Sequence, residues 1–339
     1  MSLNVLVTAA SRRVGLVRAF QQAIESLRLR GAVIGTDVND LSPAVHFCDR
    51  AYRVPLSNDA AYLDTILRLC EAEEISLVVP TIDEELPAFG AAARRFARIG
   101  VRVAVSPELT SRICNDKYVT CCHLRAAGVA AAESFLPGQV PADARLPLFV
   151  KPRGGRGSVG AFRARTREEL AFFTGYVRDP VIQEYLDGPE YTIDLLCGFD
   201  GRPLSVVPRE RVVIRAGVID RGRTVDDPAL IDLALGCARV LHFSGPVNVQ
   251  CRTVGGVPKV FEINPRFSGG IPLTIAAGAD FPRMVLEMTL GRRVEPDIGR
   301  FQADLWMTNY ESSLFLGPDR TSRLIPAELA RPLRIEAVA

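Results

Sequence analysis

Apolar residues in the first hundred positions follow two alternating spacings. Short continuous apolar runs, typical of buried strands, occur at residues 4–8, 32–36, 77–80 and 101–105. Between them, apolar residues recur every three or four positions, as in an amphipathic helix; the clearest set is Val14, Val17, Phe20, Ile24 and Leu27. Alternating strands and helices predict a parallel, doubly wound α/β sheet. Ser106 followed by Pro107 is typical of a helix start, so we expect this domain to end at residue 106.

The pattern changes in the middle of the chain. A strand, a Gly-rich turn and a second strand cover residues 148–165, and Thr166 with Glu169 forms a capping box that opens a helix. Residues 191–199 alternate as a half-buried antiparallel strand does, and Asp200-Gly201 marks a hairpin turn. Further strand-like runs lie at residues 181–185, 247–252 and 259–263. The second part of the chain is therefore predicted to be α+β.

Composition and charge exclude several classes of protein. With 48% hydrophobic and 24% charged residues in 339, the chain is typical of a folded, soluble protein of two or three domains. Its net charge is only +2, so no overall field favours nucleic acid or a membrane as a partner. The eight cysteines include no C-x-x-C pair, which indicates reduced thiols rather than a zinc site or a disulfide framework. No targeting segment is recognisable, so we expect a cytoplasmic location.

The first strand–turn–helix is a weak candidate for dinucleotide binding. Asp37 ends the second apolar run, near the place of a ribose-binding acid. However, only Gly15 of the G-x-G-x-x-G fingerprint is present, and Arg12 and Arg13 would crowd a pyrophosphate. The sequence therefore favours a turn that only packs over one that binds NAD.

A lysine followed by a Gly-rich loop, within residues 148–160, is the strongest chemical signal in the chain. Lys151 ends an apolar strand. The candidate phosphate-binding residues of the loop are Gly154, Gly155, Gly157, Ser158 and Gly160. Such a loop can lay backbone N–H groups over phosphates, although it is not a P-loop, in which the lysine follows the glycines. A flexible hairpin with one surface lysine is the alternative.

A second segment joins two predicted strands at residues 181–194. It contains Gly188-Pro189, where an interrupted strand exposes backbone groups that can recognise the edge of an adenine ring. The candidate nucleotide-binding residues are Gln183, Glu184, Tyr185, Leu186 and, for the ribose, Glu190. Taken alone, this segment predicts only a turn between strands. Its position after the Lys-Gly loop is what makes nucleotide binding a specific interpretation.

A third segment offers oxygen ligands for a metal. Glu262 and Asn264 project from one face of a strand, and Gln250 on the neighbouring strand can share that face. Oxygen ligands with few carboxylates suit magnesium held together with a nucleotide rather than zinc. Arg266 follows the strand and can neutralise a phosphoryl group. The alternative is a solvated or salt-bridged strand face.

In this order, the three segments resemble the ATP-grasp superfamily, and most closely its carbamoyl-phosphate-synthase-like branch of carboxylate–amine ligases. The resemblance runs from about residue 4 to about residue 290 and includes residues 78–86 and 115–118. It implies three regions: a Rossmann-like pre-ATP-grasp domain at 1–106, an ATP-grasp N-terminal lobe with the Gly-rich phosphate loop at 107–182, and a C-terminal lobe with the metal site and a C-terminal extension at 183–339. Carbamoyl phosphate synthases have two ATP-grasp units and a glutaminase, whereas this chain has one unit.

The resemblance also implies roles for individual residues. Lys117 and Lys151 would contact the α and β phosphates, and the Gly-rich loop would close over the triphosphate. Residues 184–186 would meet adenine through their backbone, and Glu190 would hold the ribose. The family's magnesium ligands and its phosphate-binding arginine are matched by Gln250, Glu262, Asn264 and Arg266.

Three residues, Lys151, Arg211 and Arg266, are the candidates for catalysis. Arg211 belongs to an arginine-rich strand at 208–217, which in such ligases faces the acceptor substrate, although an arginine-rich strand is also typical of a solvated edge. No His base or Cys nucleophile is required, because phosphoryl transfer asks the protein mainly for positioning and charge neutralisation.

The function implied by the resemblance is ATP-dependent, ADP-forming ligation through an acyl phosphate. We expect ATP and Mg²⁺ as cofactors, with Mn²⁺ as an alternative to Mg²⁺, and small-molecule carboxylate and amine (or thiol) substrates. Nucleic acid and membranes are not expected as partners, and related ligases suggest a homodimer. The alternative is an ATP-binding sensor or partner subunit that has no ligase activity.

Overall fold

The computed structural model describes residues 3–155, 157, 159–318, 322–323 and 335–337. The chain divides into two units, each built from more than one segment. The first unit contains residues 1–108, 280–295 and 309–339, and the second contains residues 109–279 and 296–308.

A sheet of six parallel strands forms the first unit. Its spatial order is β18-β3-β2-β1-β4-β5. The strands are β1 (Asn4–Val7), β2 (Val33–Asp37), β3 (Arg50–Arg53), β4 (Ile75–Val79), β5 (Arg102–Val103) and β18 (Ile335–Ala337). The predicted parallel α/β sheet is confirmed. Two short strands, β16 (Phe315–Leu316) and β17 (Ser322–Arg323), pair separately.

Helices of the first unit pack their apolar sides on this sheet. They are α1 (Val14–Ser26), α2 (Tyr62–Ala72), α3 (Leu86–Arg98) and α9 (Phe281–Thr289), with short 3₁₀ turns at Pro43–Phe47 and Asp83–Glu85. In α1 the predicted helical spacing buries Val17, Phe20 and Ile24. Leu6, Ile34 and Val78 belong to a core shared by the sheet and the helices. Burying such side chains stabilises the unit by roughly 1.5–3 kcal/mol each.

The second unit contains a small antiparallel sheet in the order β6-β9-β7-β8. Its strands are β6 (Ser134–Phe135), β7 (Leu148–Pro152), β8 (Phe162–Ala164) and β9 (Pro180–Glu184), and α6 (Arg167–Tyr176) packs on it. Thr166 caps α6 by accepting a hydrogen bond from the N–H of Glu169, as the capping box predicts. The Glu169 carboxylate accepts from the N–H of Arg165, 2.6 Å away, one residue earlier than in the standard box.

A larger six-stranded sheet, in the order β14-β13-β10-β11-β12-β15, carries the three predicted metal ligands as well as Glu190 and Arg211. Its strands are β10 (Glu190–Cys197), β11 (Pro203–Arg215), β12 (Val218–Thr224), β13 (Gly245–Val254), β14 (Val257–Asn264) and β15 (Trp306–Thr308). The remaining helices are α4 (Glu108–Asn115), α5 (Lys117–Ala126), α7 (Pro228–Val240) and α8 (Ile271–Ala276). All strand pairs in this sheet are antiparallel, so the second part of the chain is α+β as predicted.

The two faces of the larger sheet differ because side chains alternate along each strand. One face carries Ile193, Leu195 and Val249 into an apolar core with α7 and part of α5. Thr192 and Gln250, which pair across β10 and β13, lie on the opposite, polar face. The eight cysteines are all free thiols, and seven of them are buried. No helix within the described residues is long and apolar enough to cross a membrane.

Candidate active site

A cavity of about 340 Å³ lies within the second unit, against the polar face of the larger sheet. Fourteen predicted site residues line it: Lys117, Lys151, Gly154, Gly155, Gly157, Gln183, Glu184, Tyr185, Leu186, Glu190, Arg211, Gln250, Glu262 and Arg266. Gly160 lies between two lining residues in sequence and Asn264 lies two positions from Glu262 and from Arg266, but neither lines the cavity itself. Ser158, also predicted, falls outside the described residues.

Two buried lysines face the cavity from neighbouring elements. Lys117 is the first residue of α5, which Asp116 caps by accepting hydrogen bonds from two backbone N–H groups. The Nζ of Lys117 donates to the carbonyl oxygen of Gly155 at 2.8 Å and lies 4.0 Å from the Oε2 of Glu262. Lys117 therefore links the first turn of α5 to the Gly-rich loop.

Lys151 lies at the end of β7 and is only 7% exposed. Its Nζ donates to the carbonyl oxygen of Phe261 at 3.4 Å and lies 4.9 Å from the centre of that ring. Burial lowers the pKa of Lys151 to about 8; Lys117 also lowers the pKa, whereas Glu262 raises it. An anion bound in the cavity would favour the charged form of this lysine.

The Gly-rich loop after β7 needs glycine at specific positions. Gly155 and Gly157 have φ angles of 82° and 75°, in the left-handed region that other residues rarely adopt. The preceding Arg153 forms an ion pair with Asp116, the cap of α5. The base of the loop is therefore anchored, while glycines shape the part that lines the cavity.

The end of β9 uses its polar side chains within the protein. Gln183 is 2% exposed and donates to the Oγ of Ser134 at 2.9 Å. The Glu184 carboxylate pairs with Lys259 at 2.9 Å and accepts from the N–H of Glu133. The polar side-chain groups of both residues therefore already have partners within the protein. Contact of residues 184–186 with adenine through their backbone stays a prediction.

Glu190 begins β10 and is held by two guanidinium groups. Its Oε1 lies 2.8 Å from Arg211, and its Oε2 pairs with Arg252. Arg252 is a cavity residue that the sequence analysis missed. Its position two residues after Gln250 on β13 was the available signal, because such residues share a strand face.

The register of β13 and β14 brings the predicted metal ligands together. Gln250 lies directly opposite Glu262, and Asn248 lies opposite Asn264. The Nδ2 of Asn264 is 3.3 Å from the Oε1 of Glu262. One carboxylate and two amide oxygens form a donor set that fits Mg²⁺. Within the described residues, no group of three His, Cys, Asp or Glu side chains could hold a metal instead.

Arg266 follows β14 directly and faces the same cavity. Its backbone N–H donates to the carbonyl oxygen of Asn264 at 2.8 Å, and its Nη1 donates to that of Phe267 at 3.2 Å. The side chain is held close to the candidate metal ligands and is only 9% exposed as a residue. Two aromatic residues of the cavity wall, Phe261 and Phe149, were not predicted; Phe261 precedes Glu262, and Phe149 lies two positions before Lys151.

The cavity wall carries more positive than negative charge. Its described lining residues include five cationic side chains and three carboxylates, and Lys259 already neutralises the carboxylate of Glu184. A site with an excess of buried cations and a carboxylate–amide donor set suits a polyanion bound together with a divalent cation.

The turn after β1, considered above for NAD, uses its acid internally. One carboxylate oxygen of Asp37 accepts from the N–H of Ser11 at 2.8 Å, and the other accepts from that of Asn39 at 3.1 Å. Asp37 therefore stabilises the turn after β1 and the turn after β2.

Family comparisons agree with this geometry. Residues 177–312 match a family model described as ATP-grasp in the biosynthetic pathway with Ter operon. The chain contains an ATP-grasp domain. Residues 5–104 match a second family model, PylC-like, N-terminal domain. The fold and the resemblance expected from the sequence are thereby confirmed.

Relatives of this chain include the uncharacterized protein y4rH of Sinorhizobium fredii, which is 26% identical over 278 residues, 74% of this chain and 56% of that protein. The carbamoyl phosphate synthase large chain of Thermomicrobium roseum is 30% identical over 199 residues, 53% of this chain and 18% of that one. The chain therefore spans less than two thirds of these curated relatives.

A similar fold occurs in the biotin carboxylase domain of the 2-oxoglutarate carboxylase of Hydrogenobacter thermophilus, solved as a dimer with MgADP, ADP and bicarbonate. The TM-score is 0.69 at 16% identity, over 89% of this chain and 73% of that one.

Proposed function

We propose that this protein is an ATP-dependent, ADP-forming ligase that activates a carboxylate as an acyl phosphate and joins it to an amine or a thiol. The observation that carries the proposal is one cavity in an ATP-grasp domain that unites two buried lysines, a Gly-rich loop and the paired residues Gln250 and Glu262. The similarity to a carbamoyl phosphate synthase large chain and to a fold solved with MgADP supports it.

In this proposal, different residues of the chain bind different parts of the nucleotide. Lys117 and Lys151 bind the α and β phosphates, and the loop from Gly154 to Gly160, which includes Ser158, covers the triphosphate. The backbone of Gln183 to Leu186 contacts adenine, with Tyr185 at the edge of the ring, and Glu190 accepts hydrogen bonds from the ribose. Each of these described residues except Gly160 lines the cavity.

The metal site of the proposal consists of Gln250, Glu262 and Asn264, which would hold Mg²⁺, with Mn²⁺ as a substitute. When bound, the metal supplies positive charge against the phosphate oxygens. Lys151, Arg211 and Arg266 contribute fixed positive charge, which binds and orients the phosphates and the acceptor carboxylate.

The reaction needs no protein nucleophile. A carboxylate oxygen of the substrate attacks the γ-phosphorus as the bond to the bridging oxygen breaks, and ADP leaves with that electron pair. The amine then attacks the acyl carbon; phosphate leaves with the C–O electron pair, and the amine loses a proton to solvent. Activation is required because the leaving group of an unactivated carboxylate would be oxide. The protein's task is to orient the reactants and neutralise charge.

Hydroxylamine trapping tests the proposal. The full chain is incubated with MgATP, a pool of carboxylic acids that includes bicarbonate and the amino acids, and hydroxylamine, and both ADP and hydroxamate are measured. We expect both products from the wild type and from Glu71→Gln, an exposed helix control, and neither from Glu262→Gln. Nucleotide binding without ADP formation from any acid would contradict the ligase proposal and favour an ATP-binding sensor or partner subunit.

We propose small-molecule carboxylates and amines as the partners of the site, and a homodimer as the assembly, since the similar fold in Hydrogenobacter thermophilus was solved as a dimer. A cytoplasmic location and the division of the ATP-grasp region into lobes at 107–182 and 183–339 stay predictions. Sedimentation of the full chain at micromolar concentration tests the assembly.

A further inference from the structure

The hairpin of β11 and β12 changes direction where it passes the cavity. Its register shifts twice, between Arg211 and Val213 and again between Val213 and Ile214. Such irregularities bend a strand and increase its twist. Residues 212–216 at and after the bend are exposed, Val212 by 48%, and Ile214 and Gly217 also line the cavity. The end of the hairpin therefore forms part of the cavity wall.

The turn of this hairpin contacts the Gly-rich loop. Ala216 and Gly217 both have positive φ angles, 48° and 75°, as tight hairpin turns require. A Cβ atom placed on Gly217 would lie 2.7 Å from the Cα of Gly157, so the two backbones touch through glycines. The hairpin turn and the Gly-rich loop thus meet at the cavity.

Arg211 connects this turn to the site. Its Nη2 donates to the carbonyl oxygen of Gly217 at 2.7 Å. Its Nη1 lies 2.8 Å from the Oε1 of Glu190 and 3.2 Å from the Oε1 of Gln250. The side chain is 5% exposed, so these contacts are made away from bulk water, where charge-assisted hydrogen bonds are strong.

The guanidinium therefore joins three parts of the site: the proposed ribose contact, a proposed metal ligand and the hairpin turn. Carboxylate and amide oxygens each have more than one lone pair, so Glu190 and Gln250 can accept from Arg211 and from a ligand at the same time. Arg252 shares Glu190 with Arg211, but its other hydrogen bond goes to the carbonyl oxygen of Gly188 and not to the hairpin.

We propose that Arg211, besides contributing positive charge to the site, positions the β11–β12 hairpin against the cavity and couples nucleotide binding to the rigidity of that hairpin. This inference rests on the proposed function. A nucleotide that fixes Glu190 and Gln250 also fixes the guanidinium, which holds the Gly217 carbonyl. The contact between Gly217 and Gly157 then holds the hairpin turn against the Gly-rich loop.

Hydrogen–deuterium exchange of the full chain, with and without Mg²⁺ and a non-hydrolysable ATP analogue, tests the coupling. In the wild type we expect the analogue to slow exchange of amides 212–219. In Arg211→Gln the analogue still binds, but this protection is lost, and the kcat for hydroxamate formation falls roughly 10- to 100-fold, as expected for a misplaced site. The KM for ATP rises by a smaller factor. Arg252→Gln, which spares the hairpin, retains the protection.

A second pair of variants keeps Arg211 intact. Gly217→Ala strains the turn and pushes it away from Gly157, whereas Gly256→Ala places the same strain in the β13–β14 turn, where a Cβ meets nothing within 4 Å. We expect loss of the analogue-induced protection in the first variant only. Equal protection in wild type, Arg211→Gln and Gly217→Ala would overturn the coupling alone. Failure of the wild type to bind the analogue would overturn the proposed function as well.

Discussion

Buried carboxylates are stabilised differently in the two units. Glu85, in the first unit, is fully buried and accepts hydrogen bonds from four uncharged donors: the hydroxyls of Thr8 and Tyr62 and the N–H groups of Thr81 and Ile82. Burial raises the pKa of Glu85, and these donors lower it. The cluster is complete without a ligand, which is typical of a structural role.

In the second unit, the partly buried carboxylates that line the cavity face cations. Glu190 is held by two arginines, and Glu262 lies 4.0 Å from the Nζ of Lys117. Burial lowers the pKa of Lys151 and also that of Arg211. Arg211 already pairs with Glu190, whereas the buried charge of Lys151 would be compensated by a bound anion. Glu85 and the cavity carboxylates thus differ in their partners: neutral donors surround Glu85, and cations face Glu190 and Glu262.

The largest effect should come from removing a cation of the cavity. Lys151→Ala should lower kcat by roughly 10²- to 10³-fold, the cost of losing one electrostatic contact to a transition state. The melting temperature should not fall, because an unfavourably buried charge is also removed. Steady-state ADP release and thermal unfolding measure the two quantities. Wild-type turnover would show that Lys151 is not part of the site.

Replacing the buried carboxylate of the first unit should lower stability and leave nucleotide binding unchanged. Glu85→Ala removes the acceptor of four buried donors and should reduce the free energy of unfolding by about 3 kcal/mol. Glu85→Gln keeps one acceptor oxygen and should cost less than half as much. Chemical denaturation and analogue titration check both variants. Weakened nucleotide binding with unchanged stability in Glu85→Ala would remove the contrast between the units.

The lowered pKa of Lys151 predicts a pH dependence of nucleotide binding. Phosphates bind the protonated lysine, so affinity should fall as pH rises above about 8. Lys117 adds to this lowering and Glu262 opposes it. Calorimetric titration between pH 7 and 9.5 measures the trend, and Lys151→Arg, which stays charged, is the control. An equal pH dependence in both proteins would assign the titration to another group.

The same pKa predicts the sign of the effect on stability. The folded value of about 8 lies below the ordinary value of 10.5, so between these pH values the unfolded chain binds more protons. The contribution of Lys151 to stability therefore rises with pH in that window. Relative to Lys151→Met, the wild type should gain about 1.4 kcal/mol per pH unit there. Parallel stability curves for the two proteins would contradict this.

The smallest effect is expected at the edge of the site. Arg252 is one third exposed as a side chain, and Glu190 keeps its contact with Arg211 when Arg252 is replaced. Arg252→Gln should therefore weaken binding of the nucleotide analogue by about 1 kcal/mol, or roughly fivefold. A hundredfold or greater loss of affinity for the analogue in Arg252→Gln would show that the position of Glu190 depends on both arginines.

Local spacing predicted much of the fold. The apolar runs became β1, β2, β4 and β5, whereas β3 (Arg-Ala-Tyr-Arg) and β18 have no continuous apolar run and were not predicted. Each pairs as a strand through backbone hydrogen bonds to a neighbour distant in sequence, which local pattern does not encode.

Site prediction had a similar limit. Period-2 spacing placed Glu262 and Asn264 on one face, but the register of Gln250 depends on an irregularity between Gln250 and Cys251 that the sequence does not show. Contacts between segments distant in the chain, such as Gly217 with Gly157, likewise arise only in the folded protein. The inward side chain of Gln183 depends on its partner Ser134, 49 residues away.

Calorimetric titration of the full chain with the Mg²⁺-bound, non-hydrolysable ATP analogue tests the central claim most directly. The account predicts one analogue bound per chain in the wild type, and affinity at least tenfold weaker in Lys151→Met, a loss of about 1.4 kcal/mol. The variant should remain folded. Equal affinity in the two proteins, or no binding by the wild type, would contradict the assignment of this cavity as the nucleotide site.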